Sequence, residues 1–515
     1  MKVALTVRDF LERANFVYPD ATAVVDEPGV PGALGSITYA QMFRGALSLA
    51  HSLREMGIKP GDRVAIVSPN SGKFLISFFG VSGYGRILVP VNYRLNPEEV
   101  SYIIEHSGAR VLLLDPEYVE TFAGVKAEFR IVMDGVEDKE LFDLATEHDP
   151  PDDFEPDEDG TCSINYTSGT TARPKGVELT HRNCWLNAAV LGWNTGIKES
   201  DVYLHTLPMF HCNGWGMPYA VTSMGVCQVV QRKIDGEQIL QRIEARSVTS
   251  MCAAPAVLNA VLDAASKRTQ SGTPTPGRDQ VRVVVAGAPP PSKTIERVET
   301  ELGWEFIQIY GLTETSPLLT INRREAQRGK EDPSERSRKL SQAGKPALGV
   351  RIKIDEDGEV LARSNHVFKG YYHQPEETAK AFEGGWFHTG DGGYFDGSSL
   401  VITDRKKDVI ITGGENVSSV EVEDCLYQHP AVAEAAVIGV PDEKWGETVK
   451  ALVVLKEGSS ATERDIIEFC RERLSHFKCP TSVEFRDALP RTATGKLQKF
   501  KMRQPYWEGH ERHVN

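Results

Sequence analysis

The sequence predicts an α/β protein: a large N-terminal region of layered sheets and helices, followed by a small α+β unit. Three observations carry this. The 515 residues exceed what one core holds and suggest roughly two to four domains. Helical and strand patterns alternate along the first part, as parallel sheets joined by helices require. After about residue 404 the texture changes, and the remaining stretch is long enough for a separate small domain.

In chain order, Met42, Ala46, Leu49, Leu53 and Met56 recur at helical spacing between Tyr39 and Gly57, and the turn Pro60-Gly61-Asp62 follows. Arg63 to Ser68 reads as a buried strand. Asn96-Pro97 starts a helix with Val100, Ile103 and Ile104 on one face and Gly108 as its stop. Val111 to Leu114 and Ile131 to Met133 are short strands. Residues 147–160, rich in Asp, Glu and Pro, read as an exposed acidic connector. Arg323 to Ser341, mostly charged, reads as a mobile surface excursion. Ser418 with Glu421 resembles a capping box opening a helix to about His429. Strands follow at Val432 to Val440 and Val449 to Leu455. Thr462 starts a helix with Ile466, Ile467, Cys470 and Leu474 on one face, and Val483 to Phe485 is the last strand.

Composition narrows the function. Forty per cent hydrophobic and 25 per cent charged residues make an ordinary globular balance, and a formal charge of −14 argues against a nucleic-acid or anionic-membrane surface. An anionic ligand must therefore be held by local basic groups and backbone N–H groups. Eight cysteines contain no Cys-x-x-Cys pair, which suggests reduced thiols and neither a zinc site nor a disulfide framework. Met1 to Phe16 carries Asp9 and Glu12 and is no signal peptide. No apolar run reaches the roughly 18 residues of a membrane span. The terminal Arg512-His513-Val514-Asn515 is not a peroxisomal tripeptide, so a cytoplasmic protein is expected.

The most informative segment is Tyr166-Thr167-Ser168-Gly169-Thr170-Thr171-Ala172-Arg173-Pro174-Lys175-Gly176. Gly169 and Gly176 allow tight turns with close N–H approach to an anion. The hydroxyls of Thr167, Ser168, Thr170 and Thr171 add donors, and Lys175 adds a mobile cation. Lys175 is followed by Gly176, so this is not a Walker A loop. Strand-like Cys162 to Asn165 and Val177 to Leu179 flank it, which favours an anchored phosphate cradle over an ordinary polar loop.

Four further segments complete the set: Tyr310-Gly311-Leu312-Thr313-Glu314-Thr315 after the apolar strand Phe306 to Ile309; Gly385-Trp386-Phe387-His388-Thr389-Gly390-Asp391; Asp404-Arg405-Lys406-Lys407-Asp408 with Gly413-Gly414 beyond it; and Pro490-Arg491-Thr492-Ala493-Thr494-Gly495-Lys496. Each alone has an ordinary reading. All five in this order resemble the adenylate-forming superfamily of acyl-CoA synthetases, luciferases and peptide-synthetase adenylation domains, over nearly the whole chain.

That resemblance implies an N-terminal AMP-binding domain (residues 1–403), a hinge (404–414) and a small mobile C-terminal domain (415–515). It implies that ATP activates a carboxylate as acyl-AMP, which a thiol then takes. Attack at the α-phosphate needs charge neutralisation and in-line positioning more than acid–base chemistry. By resemblance, Thr167 and Glu314 hold Mg²⁺, and the 167–176 loop grips the pyrophosphate portion. Tyr310 stacks on adenine, with Gly287-Ala288-Pro289 lining the opposite side. Thr313 bonds the α-phosphate, Asp391 accepts the ribose hydroxyls, and Arg405 contacts ribose or phosphate. Lys496 draws carboxylate and α-phosphate together, Lys407 takes the hinge rotation, and Gly413 and Gly414 line the thiol tunnel. Many members have Gly where this chain has Ala172, a subgroup variation.

Leu207-Pro208-Met209-Phe210-His211-Cys212-Asn213-Gly214-Trp215 occupies the family's substrate gate. It looks like the subgroup that takes short- to medium-chain, branched or thioether acids, including methylthiopropanoate-CoA ligases. Trp215 either caps the acyl pocket or packs in the core, Asn213 lies in the same segment, and His211 either sits near the carboxylate, the favoured reading, or is a satisfied structural histidine. Amino-acid-activating relatives carry an aspartate shortly after this aromatic; here no acid follows Phe210 before Asp235, which disfavours an amino-acid substrate. Lys496 lies close to Asn515, which leaves no room for a fused carrier domain, so free coenzyme A (CoA) is the expected acceptor. Transfer to a separate carrier protein, or a nucleotide-binding regulator without catalysis, are the alternatives. The resemblance suggests a homodimer.

Overall fold

The computed structural model describes residues 1–167, 173–288, 290–405, 408–412, 415–442, 444–491 and 497–508. Among them the strands form four sheets, of nine, seven, four and five strands. In the seven-stranded sheet, Arg63–Val67 lies between Ile87–Val91 and Ala109–Leu114, all parallel. Residues 64–67 are wholly buried, which explains why this strand reads as an unbroken apolar run rather than an alternating one. Thr161–Thr167 continues the sheet and pairs antiparallel with Lys175–Thr180, whose outer edge takes the short strand Gly370–Tyr371. In the nine-stranded sheet, Val202–His205, Ser250–Ala253, Arg282–Val285 and Glu305–Tyr310 run parallel and in that order.

The helices start and stop where their end residues dictate. Tyr39–Glu55 opens on a capping box between Thr38 and Gln41. Pro97–Ser107 opens on Asn96 and Glu99 and ends at Gly108, whose φ of 61° suits glycine. Ser418 accepts the Glu421 N–H and opens Ser419–Tyr427.

One expectation is corrected. The acidic stretch 147–160 is the largely exposed connector expected, anchored at two points: Asp153 binds the wholly buried Arg86 through both carboxylate oxygens, and Glu158, 9% exposed, takes the Leu5 N–H and Arg182. The charged stretch 323–341, by contrast, is docked. It contains the helix Pro333–Leu340 with Leu340 fully buried, and Arg336, 3% exposed, makes two hydrogen bonds to Glu299. Arg323, Arg324 and Arg336 are all paired with glutamates, so low hydrophobicity there goes with salt bridges.

A four-stranded antiparallel sheet (Arg351–Ile354, Glu359–Arg363, Phe387–Asp396, Ser399–Arg405) ends the N-terminal part. The next sheet begins at Ile410–Thr412, so the change of sheet falls at residues 406–409. The C-terminal sheet is built on the hairpin Val432–Asp442 and Gly446–Leu455. Helices Ser419–Tyr427 and Glu463–Arg471 close a separate core that includes Ile410, Val422, Leu426 and Ile466. The backbone N–H and hydroxyl of Ser292 both donate to Asp424 of that unit, at 2.9 and 3.0 Å.

Candidate active site

Thr167 faces Lys175 in register across the antiparallel pair, so the two strands that flank the glycine- and hydroxyl-rich segment are joined by pairing up to its ends. Ser168, Gly169, Thr170, Thr171 and Ala172 lie outside the described residues. Gly176 is required by crowding. A Cβ there would lie 2.9 Å from the Ile164 side chain and 3.3 Å from that of Tyr372. Lys175 lies over the Tyr371 ring, 4.9 Å from its centroid, and pairs with the carboxylate of Glu377. That hydrogen bond and charge hold the Glu377 carboxyl below the usual range.

Glu314 sits on a 3₁₀ turn, Thr313–Thr315, that follows the strand ending at Tyr310. Gly311 makes this turn feasible, since a Cβ there would lie 1.5 Å from the Pro317 carbonyl oxygen. The Thr315 hydroxyl accepts the Leu312 N–H and closes the turn. A distant segment then fixes Glu314 beside the hairpin. Phe368 N–H donates to the Glu314 carbonyl at 2.8 Å, and the Tyr371 hydroxyl donates to its carboxylate at 3.0 Å. The same segment is joined to the hairpin, because Gly370–Tyr371 is the edge strand on Val177–Glu178. Burial and the Glu314 charge push the Tyr371 phenol well up, so it remains a donor.

Asp391 is 5% exposed and faces Arg405 across the antiparallel pair. The Tyr310 hydroxyl donates to one of its oxygens at 2.8 Å, and Arg405 Nε lies 3.2 Å from the other. Asp391 first, and Glu314 after the cost of burial, hold the Arg405 guanidinium above its ordinary value; burial and Asp391 raise the Tyr310 phenol. The turn before Asp391 is fixed from behind, with Glu359 accepting the Gly390 N–H at 2.8 Å and Thr389 donating to the Val360 carbonyl at 2.6 Å. Gly287, φ 95°, and Ala288 turn away at the end of Arg282–Val285. That strand runs parallel to the one ending at Tyr310, so the turn and Tyr310 share one carboxyl edge of the sheet, where ligands of open α/β sheets bind. Pro289 lies outside the described residues.

The acyl-gate segment has an unusual backbone. Cys212, Asn213, Gly214, Trp215 and Gly216 all have positive φ, from 46° to 77°. A consecutive left-handed run of L-residues costs roughly 1–2 kcal/mol each and persists only where its surroundings enforce it. Here Asn187, wholly buried, donates to the Trp215 carbonyl and accepts the Leu318 N–H, both at 3.1 Å. The Cys212 thiol points at the Thr313 carbonyl, 3.9 Å away. The gate is thereby tied to the Glu314 turn. Trp215, 3% exposed, packs in the main core; Asn213, 1% exposed, donates to Ser163 at 2.8 Å; His211 is half-buried at the start of the run.

The structure thus joins Lys175, Tyr371 and Glu314 in one group and Tyr310, Asp391 and Arg405 in a second, with Glu314 and Arg405 within electrostatic reach. Lys407, Gly413, Gly414 and Lys496 lie outside the described residues. Glu314 and Thr167 offer hard oxygen donors of the kind Mg²⁺ takes. Among the described residues, Asp355, Glu359 and His388 bring three donor atoms within 4.8 Å of one another, and His388 Nδ1 lies 3.3 Å from the Glu359 carboxylate behind the Asp391 turn. Sequence reasoning missed Tyr371, Glu377, Glu359 and Asn187, because no motif marks them and each acts through a partner far along the chain.

Comparison with known proteins gives the same outline. Residues 11–372 match the family model of the AMP-binding enzyme, and residues 421–496 that of the AMP-binding enzyme C-terminal domain. A 2-methylpropanoate–CoA ligase of Humulus lupulus is 38% identical over 97% of this chain and 94% of its own length. A 4-hydroxybutyrate–CoA ligase of Metallosphaera sedula is 35% identical over the same shares. The solved structure of an anthranilate CoA ligase in complex with anthranoyl-AMP has a TM-score of 0.87 at 28% identity, covering 98% of both chains.

Proposed function

Because the chain belongs to the AMP-binding enzyme family, we propose that it is an AMP-forming acid–thiol ligase. In the first step a carboxylate oxygen attacks the α-phosphorus of ATP and pyrophosphate leaves. In the second the thiol of CoA attacks the acyl carbon, AMP leaves as its anion, and the thiol proton is lost to solvent. The observation that carries this reading is the joining of hairpin and Glu314 turn through Tyr371. Lys175 and the Glu314 carboxylate both meet the one Tyr371 side chain, on the edge strand that pairs with Val177–Glu178.

Tyr310 and the Gly287–Pro289 turn hold the adenine, Asp391 accepts the ribose hydroxyls, and Arg405 and Thr313 contact the phosphate side. Thr167 and Glu314 would hold Mg²⁺, which supplies charge neutralisation on the phosphates when bound. Residues 1–403 bind ATP and acid. Residues 415–515 carry Lys496, which draws the two anions together, and move about Lys407, bringing Gly413 and Gly414 to the thiol. The free cysteines suit a reducing compartment such as the cytoplasm, and the homodimer is carried over from the family resemblance alone.

The acid is short- to medium-chain, and branched or otherwise substituted. Support comes from the relatives named for 2-methylpropanoate and 4-hydroxybutyrate. The lack of an acidic residue between Phe210 and Asp235 disfavours an amino acid. His211 is the gate residue placed nearest the carboxylate, with Asn213 and Trp215 shaping the pocket behind it.

The test is ATP–pyrophosphate exchange with 2-methylpropanoate, butyrate, 4-hydroxybutyrate, 3-methylthiopropanoate and benzoate, with acyl-CoA measured by mass spectrometry. Acid-dependent exchange with CoA consumption is expected. Exchange with no acyl-CoA formed would move the acceptor to a carrier protein, and no exchange with any acid would overturn the reading.

A further inference from the structure

We propose that Glu377 is a positioning residue that competes with polyphosphate for Lys175, weakening the grip on ATP and pyrophosphate so that the pyrophosphate product leaves readily. The inference rests on the ligase reading above and concerns two residues that the five motifs do not explain together. Lys175 closes the phosphate hairpin, and Glu377 lies 202 positions later, in the first turn of the helix Pro375–Ala381.

The geometry is built rather than incidental. Lys175 is 20% exposed in its side chain and is held between two groups, the Tyr371 ring beneath it and the Glu377 carboxylate. Tyr371 also donates its hydroxyl to Glu314. One ring therefore spaces the phosphate-gripping cation from the carboxylate proposed to hold the metal, and the ion pair forms with Glu377 instead. The helix carrying Glu377 is fastened to the same edge strand. The Tyr371 N–H donates to the Thr378 hydroxyl at 2.8 Å, and Gly370 leaves room for Thr378, whose methyl would lie 2.8 Å from a Cβ there. Glu377 thus reaches Lys175 from a fixed element.

An ammonium shared by a carboxylate and a phosphate binds each less tightly than it would bind either alone. Removing the Glu377 charge therefore strengthens both ATP and pyrophosphate binding. Glu377 is half exposed, so the change is modest, about two- to fivefold. Because pyrophosphate leaves before the thiol step, the gain in affinity costs turnover once release becomes slow.

The experiment uses the full chain and three variants: Glu377→Gln, the conservative Glu377→Asp, and Glu376→Gln, which removes a charge from the exposed neighbour in the same helical turn. The KM for ATP in acid-dependent exchange and the affinity for inorganic pyrophosphate by calorimetry are measured for each. Glu377→Gln is expected to lower both constants about two- to fivefold, Glu377→Asp to keep them nearer the parent, and Glu376→Gln to leave them unchanged. Constants unaltered in Glu377→Gln would overturn the proposal, as would equal shifts in Glu376→Gln, which would make the effect one of bulk charge. Absence of exchange in the parent protein would instead remove the ligase reading beneath it, so the two failures are distinct.

Discussion

His181 and His205 are both buried side chains kept neutral by their surroundings. Nδ1 of His181 accepts the Val7 N–H at 3.3 Å, a role that protonation would abolish, and burial lowers its pKa to about 4. His205 meets Gln228 at 3.0 Å, and burial lowers it likewise to about 4. Both values lie below the unfolded 6.5, so the unfolded chain binds more protons in acid. The stability these imidazoles contribute is fully present above about pH 6.5 and is lost as pH falls toward 4, by about 2 kcal/mol for each at pH 5. The melting temperature should therefore drop between pH 7 and pH 5, and His205→Gln should flatten that slope; an unchanged slope would contradict the assignment. At this scale the motifs named Asp391, Arg405, Glu314 and Lys175, and the structure places Asp391 beside Arg405 and joins Glu314 to Lys175 through Tyr371. Tyr371 and Glu377 were illegible, because a tyrosine and a glutamate carry no signature in a sequence until their partners are known.

At the scale of elements, local chemistry was readable wherever a few adjacent residues decide it. The start at Asn96-Pro97, the stop at Gly108 and the apolar run from Arg63 all act within one helical turn or one strand. The stretch 323–341 was misread because several of its charges are paired with Glu299 and Glu305, which lie in other elements. The left-handed run 212–216 is likewise imposed from outside, by Asn187 and its grip on both Trp215 and Leu318. The Glu314 turn gives the sharpest prediction at this scale. Gly311→Ala places a Cβ 1.5 Å from a backbone oxygen, an overlap that no side-chain rotation relieves. Acyl-AMP formation should fall on the order of a hundredfold or more, with a lower melting temperature from a strain of several kcal/mol. Activity within a few-fold of the parent would show that the turn yields more easily than its packing implies.

In the whole molecule, two units with separate cores meet across residues 406–409, with Ser292 and Asp424 in contact between them. The two-step chemistry proposed above assigns Lys496 to the first step only. Lys496→Ala is accordingly expected to abolish acyl-AMP formation yet largely spare thioester formation from supplied acyl-AMP and CoA. Equal loss of both steps would contradict an exchange of C-terminal positions between half-reactions. The sequence by itself determined the α/β class, the order of the five motifs and the approximate place of the helices and strands it named, since periodicity, caps and turns act over a few residues. Only the tertiary structure decided that Tyr371 separates Lys175 from Glu314, that Glu377 claims the lysine, and that Asn187 ties the acyl gate to the nucleotide turn. Those contacts join residues from 28 to 202 positions apart, and they exist only once the hairpin strands, the edge strand and the 3₁₀ turn have packed together.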